Sequence, residues 1–160
     1  MLHEYGHAIQ DSQQTPFGGF GTSPEAGAIG EGFGDNWAVT VSTVVAPTAD
    51  PACVADWDSV SCTSTEPHCL RRVDTDLHYP GDLNERVHHD GQIWSRALWD
   101  LRNKLGNVKA DTIILEAQFA FAPDTSMPAA AEATVAAAQR LYGKQAAKIV
   151  RGVFEARGIL

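Results

Sequence analysis

A chain of 160 residues has the length of one ordinary domain, and 44% hydrophobic with 20% charged residues lets it bury a normal core, which excludes a collagen-like or broadly disordered polymer. Its 12 basic against 20 acidic residues, a formal charge of −8, argue against nucleic acid or an anionic membrane as partner. No apolar run nears the roughly 18 residues of a membrane span, and Met1-Leu2-His3-Glu4 has neither the basic nor the apolar part of a signal peptide.

In chain order, residues 1–13 read as the body of a helix with nothing before His3 to cap it. Residues 14–21 read as a loop containing Pro and Gly. The run Thr22-Ser23-Pro24-Glu25 then supplies a hydroxyl cap, a first-turn proline and an early acid, so a second helix is predicted from there to about Val44. Ile29, Phe33, Trp37 and Val41 recur every four residues along it. Gly27, Gly30, Gly32 and Gly34 lie within the same stretch. Each glycine costs a helix about 1 kcal/mol against alanine, so the cluster implies close approach of another backbone, and the first helix is the expected neighbour.

Residues 46–84 show no sustained period and read as a long ordered loop. Val87, Gly91, Trp94, Leu98, Leu101 and Leu105 then follow at spacings of three and four, with Gly106-Asn107 as the stop signal. Residues 110–120, 129–142 and 144–157 each read as helical. The fold class is therefore mainly α, one domain over residues 1–160 with a long irregular loop.

Three cysteines, Cys53, Cys62 and Cys69, all fall in that loop, so at least one has no partner within the chain. One local disulfide, Cys53 with Cys69, is the better reading, because oxidising compartments favour such staples; three free thiols in a reducing compartment is the alternative. The cysteines include no C-x-x-C pair, which disfavours a structural zinc finger.

The chemistry-bearing motif is His3-Glu4-Tyr5-Gly6-His7, an H-E-x-x-H sequence on a predicted helix, which a chain of this composition produces by chance at about one in a hundred. Residues four apart on a helix return to one face. Two imidazoles there can reach a single zinc ion while the adjacent Glu4 points toward water. A catalytic zinc site needs a third protein ligand, and Glu31 on the glycine-rich helix supplies it. Asp35, one turn on, can accept the outer N–H of a ligating histidine. Like charges at that spacing repel, so a nearby cation or imidazole is expected beside Glu31 and Asp35.

The sequences His3-Glu4-Tyr5-Gly6-His7-Ala8 and Glu25-Ala26-Gly27-Ala28-Ile29-Gly30-Glu31-Gly32-Phe33-Gly34-Asp35 together resemble the thermolysin-type zinc peptidases, most closely the secreted fungalysin metalloendopeptidases. The resemblance implies His3, His7 and Glu31 as zinc ligands, Glu4 as general base and Asp35 as support for a ligand. Arg86-Val87-His88-His89-Asp90-Gly91-Gln92-Ile93-Trp94 resembles the family segment that carries a transition-state-stabilising histidine, which corresponds to His88, with His89 the runner-up. Leu70-Arg71-Arg72-Val73 more loosely resembles the segment bearing a substrate-contacting arginine, here Arg71. The implied reaction is hydrolysis of a peptide or protein substrate without a covalent intermediate: Glu4 carries the proton from water to the leaving amine and His88 donates to the developing oxyanion.

Three departures from the family stand out. No tyrosine lies between His7 and Glu31 to act as a second oxyanion donor, so Tyr5 or Tyr79 would substitute. The acidic cluster that binds calcium in thermolysin-like enzymes has no clear counterpart after Asp35, so calcium is not expected. Family members also carry an upstream subdomain that forms one wall of the cleft; none of it is in this chain, and it is the expected intramolecular partner. Secretion is expected if the chain is part of a longer precursor. The alternative function is a truncated, catalytically silent metal-binding or structural module.

Other chemistries fit less well. The glycines lack the G-x-G-x-x-G order, no G-K-[ST] follows, and there is no G-x-S-x-G. His68-Cys69 is only a neighbour pair in sequence, and Lys144, Lys148, Arg151 and Arg157 read as a solvated helix face.

Overall fold

In the computed structural model, which describes residues 1–13, 22–47, 50–55 and 69–160, the capping signal before Pro24 starts the helix around which the others pack. Ser23 is the cap: it is extended, and its hydroxyl accepts the Ala26 amide at 3.1 Å. Helix α2 (Pro24–Val45) is buried continuously over residues 26–36, the mark of a helix covered on every side. It packs most extensively on α3 (Val87–Leu105) and next on α1 (Leu2–Gln13). Helices α4 (Asn107–Gln118) and α5 (Met127–Ala156) pack on each other and on α3. The predicted loop over 14–21, Cys62 and His68 lie outside the described residues.

The glycines of α2 make the two main contacts possible. A Cβ on Gly6 would sit 3.0 Å from the Gly34 Cα, so α1 and α2 meet backbone to backbone, as the sequence suggests. Gly32 meets a different helix: a Cβ there would strike the Gly91 carbonyl of α3 and lie 2.9 Å from the Trp94 Cβ. The core between α2, α3, α4 and α5 is filled by Ile29, Phe33, Ile93, Leu98, Leu101, Ile113 and Val150. Trp94 stacks on Phe154 with ring centroids 5.2 Å apart.

Gly106 is both a stop and a start. With φ of 79° it ends α3, and α4 begins at the next residue, three residues before the start expected at residue 110. Gly143, also at φ 79°, interrupts α5 and separates the two helical runs read from the sequence. Within the long loop, Cys53–Val54 (β1) and Arg71–Arg72 (β2) form a two-residue antiparallel pair, with Val54 opposite Arg71. Val39, Ala52, Val54 and Val73 make a small satellite core beneath it. Cys53 and Cys69 are joined by a disulfide across the ends of this flap. Arg157, expected on a solvated face, is largely covered instead; its guanidinium donates to Asp76 at 3.0 Å, and its carbonyl accepts the Tyr79 amide. Among the described residues no helix is long and apolar enough to cross a membrane.

Candidate metal centre

The first two turns of α1 and the middle of α2 lie side by side because Gly6 and Gly34 remove the side chains that would separate them. His3 and His7, one turn apart on α1, therefore face Glu31 of α2. His3 Nε2 is 3.0 Å from His7 Nε2 and 3.1 Å from a Glu31 carboxylate oxygen, while His7 Nε2 is 3.7 Å from the other oxygen. All three donor atoms lie within 4.8 Å of one another. Four ligands arranged tetrahedrally around zinc at about 2.0–2.1 Å are separated by about 3.3 Å, so the donor set and its spacing fit that ion. Two imidazole nitrogens and a carboxylate oxygen also form a donor set of the zinc type.

Behind this cluster lies a chain of charge. His3 Nδ1 donates to Asp35 at 2.8 Å, which leaves Nε2 facing His7 and Glu31. Arg71, carried in on β2, grips the same carboxylate at two points, Nε to Oδ2 at 2.6 Å and Nη2 to Oδ1 at 2.7 Å. Glu31 and Asp35 are thus matched by imidazoles and a guanidinium, the cations that their like charges called for.

The titration of these groups follows the geometry. Burial disfavours the charged form of His3, yet its hydrogen bonds to Asp35 and Glu31 outweigh burial and raise its pKa to about 9. Burial and the neighbouring His3 charge push His7 down. Burial would raise both carboxyls, but His3 and the charges of His88 and His7 hold Glu31 below its usual range, and Arg71 with His3 does the same for Asp35. Without a metal, positive charge on this pair of histidines is therefore favoured at His3 and disfavoured at His7.

Glu4 is exposed and close enough to act electrostatically on His7 and Arg71. His88, in the first turn of α3, brings Nε2 to 3.2 Å from Glu31 Oε2, although its side chain is 62% exposed. His89 points instead to Asp90, with Nδ1 at 3.0 Å from Oδ1. Neither tyrosine named as a substitute oxyanion donor joins the cluster through a hydrogen bond among the described residues. Tyr5 is 61% exposed, and the Tyr79 hydroxyl donates to Glu25 at 3.5 Å. A cavity of about 290 Å³ opens beside His3, lined by Met1, Leu2, Ala38 and Val54.

The sequence signals did not reveal the two ion pairs that Arg72 makes with Asp50 and Asp74, which tie the flap at 2.5 to 3.0 Å. Nor did they reveal that Arg71 is held by Asp35; only the demand for a cation near Glu31 and Asp35 pointed that way.

None of the curated proteins compared matches the chain. The sequence does match the family described as thermolysin metallopeptidase, alpha-helical domain, over residues 19–159, a span that begins after His7 and takes in Glu31, Asp35, Arg71 and His88. The helical architecture agrees with that match, and the chain belongs to the thermolysin metallopeptidase family.

Proposed function

We propose that this chain hydrolyses internal peptide bonds in a zinc-dependent manner, in the fashion of the fungalysin branch, with residues 1–160 acting as one helical domain. The observation that carries this reading is the convergence of His3 Nε2, His7 Nε2 and the Glu31 carboxylate, backed by Asp35 and Arg71. The separation of 24 residues between His7 and Glu31 supports the fungalysin arrangement. His3, His7 and Glu31 would hold the ion, and zinc when bound polarises a carbonyl and lowers the pKa of water.

The rest of the chemistry falls to the chain's own groups. Asp35 keeps the Nδ1 proton on His3 and so leaves Nε2 free to ligate. Arg71 fixes Asp35 and retains Nη1 to meet a substrate carbonyl. Glu4, at the solvent side of the same helical turn, accepts a proton from water on its carboxylate and delivers it to the leaving amine nitrogen. The His88 Nε2–H donates to the oxygen on which charge develops. The cavity beside His3 takes an apolar side chain next to the scissile bond. The Cys53–Cys69 bridge supports secretion into an oxidising compartment.

The test compares zinc-loaded protein with Glu4→Gln on an unstructured polypeptide, as this chain and joined to the upstream subdomain that the fungalysin resemblance implies. Zinc content should be unchanged and kcat should fall by about 10² to 10⁴. Unchanged kcat refutes Glu4 as base; no zinc-dependent hydrolysis in either form refutes the peptidase reading.

A further inference from the structure

His88 matters to the proposed chemistry, and its contact with the cluster is the 3.2 Å approach of Nε2 to Glu31 Oε2. With the side chain 62% exposed, packing adds little to that contact, so where the ring can reach depends on the backbone that carries it. That backbone is the first turn of α3, and Arg86, at the cap position, makes no side-chain capping bond. Asp90 performs the task from the other direction. It is 4% exposed, and its carboxylate reaches back to accept the Asn84 amide on Oδ1 and the Glu85 amide on Oδ2, each at 3.0 Å.

The same Oδ1 accepts Nδ1–H of His89 at 3.0 Å, which draws that ring away from Glu31 and leaves the position to His88. The grip also holds Glu85 at φ 65°, a conformation that a residue with a side chain rarely adopts unaided. One residue after Asp90, a Cβ on Gly91 would lie 2.9 Å from the Ala28 carbonyl and 3.0 Å from the Glu31 Cβ, so this turn rests directly on the α2 segment that bears Glu31. Gly91 thus fixes where α3 sits, and Asp90 fixes how the chain enters it.

We infer that Asp90 is the positioning residue of the site: by clamping the 84–85 amides and His89, it sets the turn that aims His88 Nε2 at the Glu31 side of the cleft. This rests on the role proposed for His88, but its geometric part does not require the metal. Asn84 and Glu85 are exposed, so water can satisfy their amides when the clamp is removed. Loss of the clamp therefore frees the turn without unfolding the domain. Asp90→Asn is the sharper variant because it keeps the shape and sets an NH₂ donor against a backbone donor. Asp90→Ser, which keeps one acceptor, is the second.

The experiment is NMR on the metal-free chain with labelled histidine rings. In the unaltered protein the His88 Hε1 proton should give an NOE to the Glu31 γ protons, and His3 should give its own. Asp90→Asn and Asp90→Ser should lose the His88 NOE while keeping that of His3. Retention of the His88 NOE in both variants, or loss of both NOEs together, overturns the inference. With zinc present and the peptidase joined to its upstream subdomain, Asp90→Asn should lower kcat by about tenfold or more with KM and zinc content unchanged, and should have no further effect in a His88→Ala background. Equal losses in the two backgrounds would show that Asp90 acts elsewhere. If His88→Ala alone has no effect, the role proposed for His88 fails and the geometric inference does not.

Discussion

Replacing Gly34 by alanine should damage the proposed metal centre while leaving the helix that carries it intact. In an open helix this change would be favourable, by about 1 kcal/mol. Here the new Cβ would sit 2.8 Å from Cε1 and Nδ1 of His3 and 3.1 Å from its Cγ. Carbon atoms rest at about 3.5–4.0 Å, so the imidazole must retreat by about 0.7 Å or more. Metal–ligand distances tolerate only about 0.2 Å, and the same displacement pulls Nδ1 off Asp35, a loss that by itself costs about 10- to 100-fold in metal affinity.

Gly30→Ala is the control on the same helix. Its Cβ would lie 3.6 Å from Gln10 Oε1 and 4.0 Å from His7 Nδ1, ordinary contacts, so it should stabilise the protein by up to about 1 kcal/mol and leave zinc binding alone. Competition with a chromophoric chelator measures the affinity, and melting of the metal-free protein measures stability. Zinc affinity for Gly34→Ala within twofold of the unaltered protein, or an equal loss for Gly30→Ala, would refute the reasoning.

Two further outcomes follow from the charges and the loop. In the metal-free protein Asp35 is depressed, so its contribution to stability is present above about pH 4 and lost as the pH falls through its folded value; His3 is raised to about 9, so its contribution is full below about pH 6.5 and lost as the pH rises toward 9. Urea unfolding across this range should give a plateau with two falling limbs, the upper one absent in His3→Gln; stability that stays flat from pH 6.5 to 9 contradicts the assignment. Reduction of Cys53–Cys69, which are 16 residues apart, should lower stability by about 3 kcal/mol, read as the change in the urea midpoint. A loss under about 1 kcal/mol would mean that the satellite core and the Arg71–Asp35 pair hold the flap without the bridge.

The helices were legible because their signals are local. Ser23-Pro24 marks a helix start on its own, and the apolar spacing from Val87 to Leu105 defines one face of α3 without knowledge of its partner. Residues 107–109 escaped because Gly106-Asn107 reads only as a stop, whereas a glycine at φ 79° can turn the chain straight into the next helix. The β1–β2 pair escaped for a different reason: two residues per strand carry no period, and the pair owes its position to a disulfide, a satellite core and Arg71.

At the site, His3, His7, Glu31 and Asp35 could be grouped from spacing because each pair lies on one helix face, and the glycines announced the contact between the helices. The grip of Arg71 on Asp35 and of Asp90 on the 84–85 amides could not be read in this way. Both depend on how irregular segments return to a helix, and spacing along the chain does not encode that.

The central claim is that His3, His7 and Glu31 form one zinc site. Elemental analysis of the purified protein together with zinc-edge X-ray absorption tests it most directly. The account predicts one zinc per chain, with two imidazole nitrogens and a carboxylate oxygen at about 2.0–2.2 Å, and loss of the metal in Glu31→Ala. Protein that takes up no zinc, or takes up as much after Glu31→Ala as before, would contradict it.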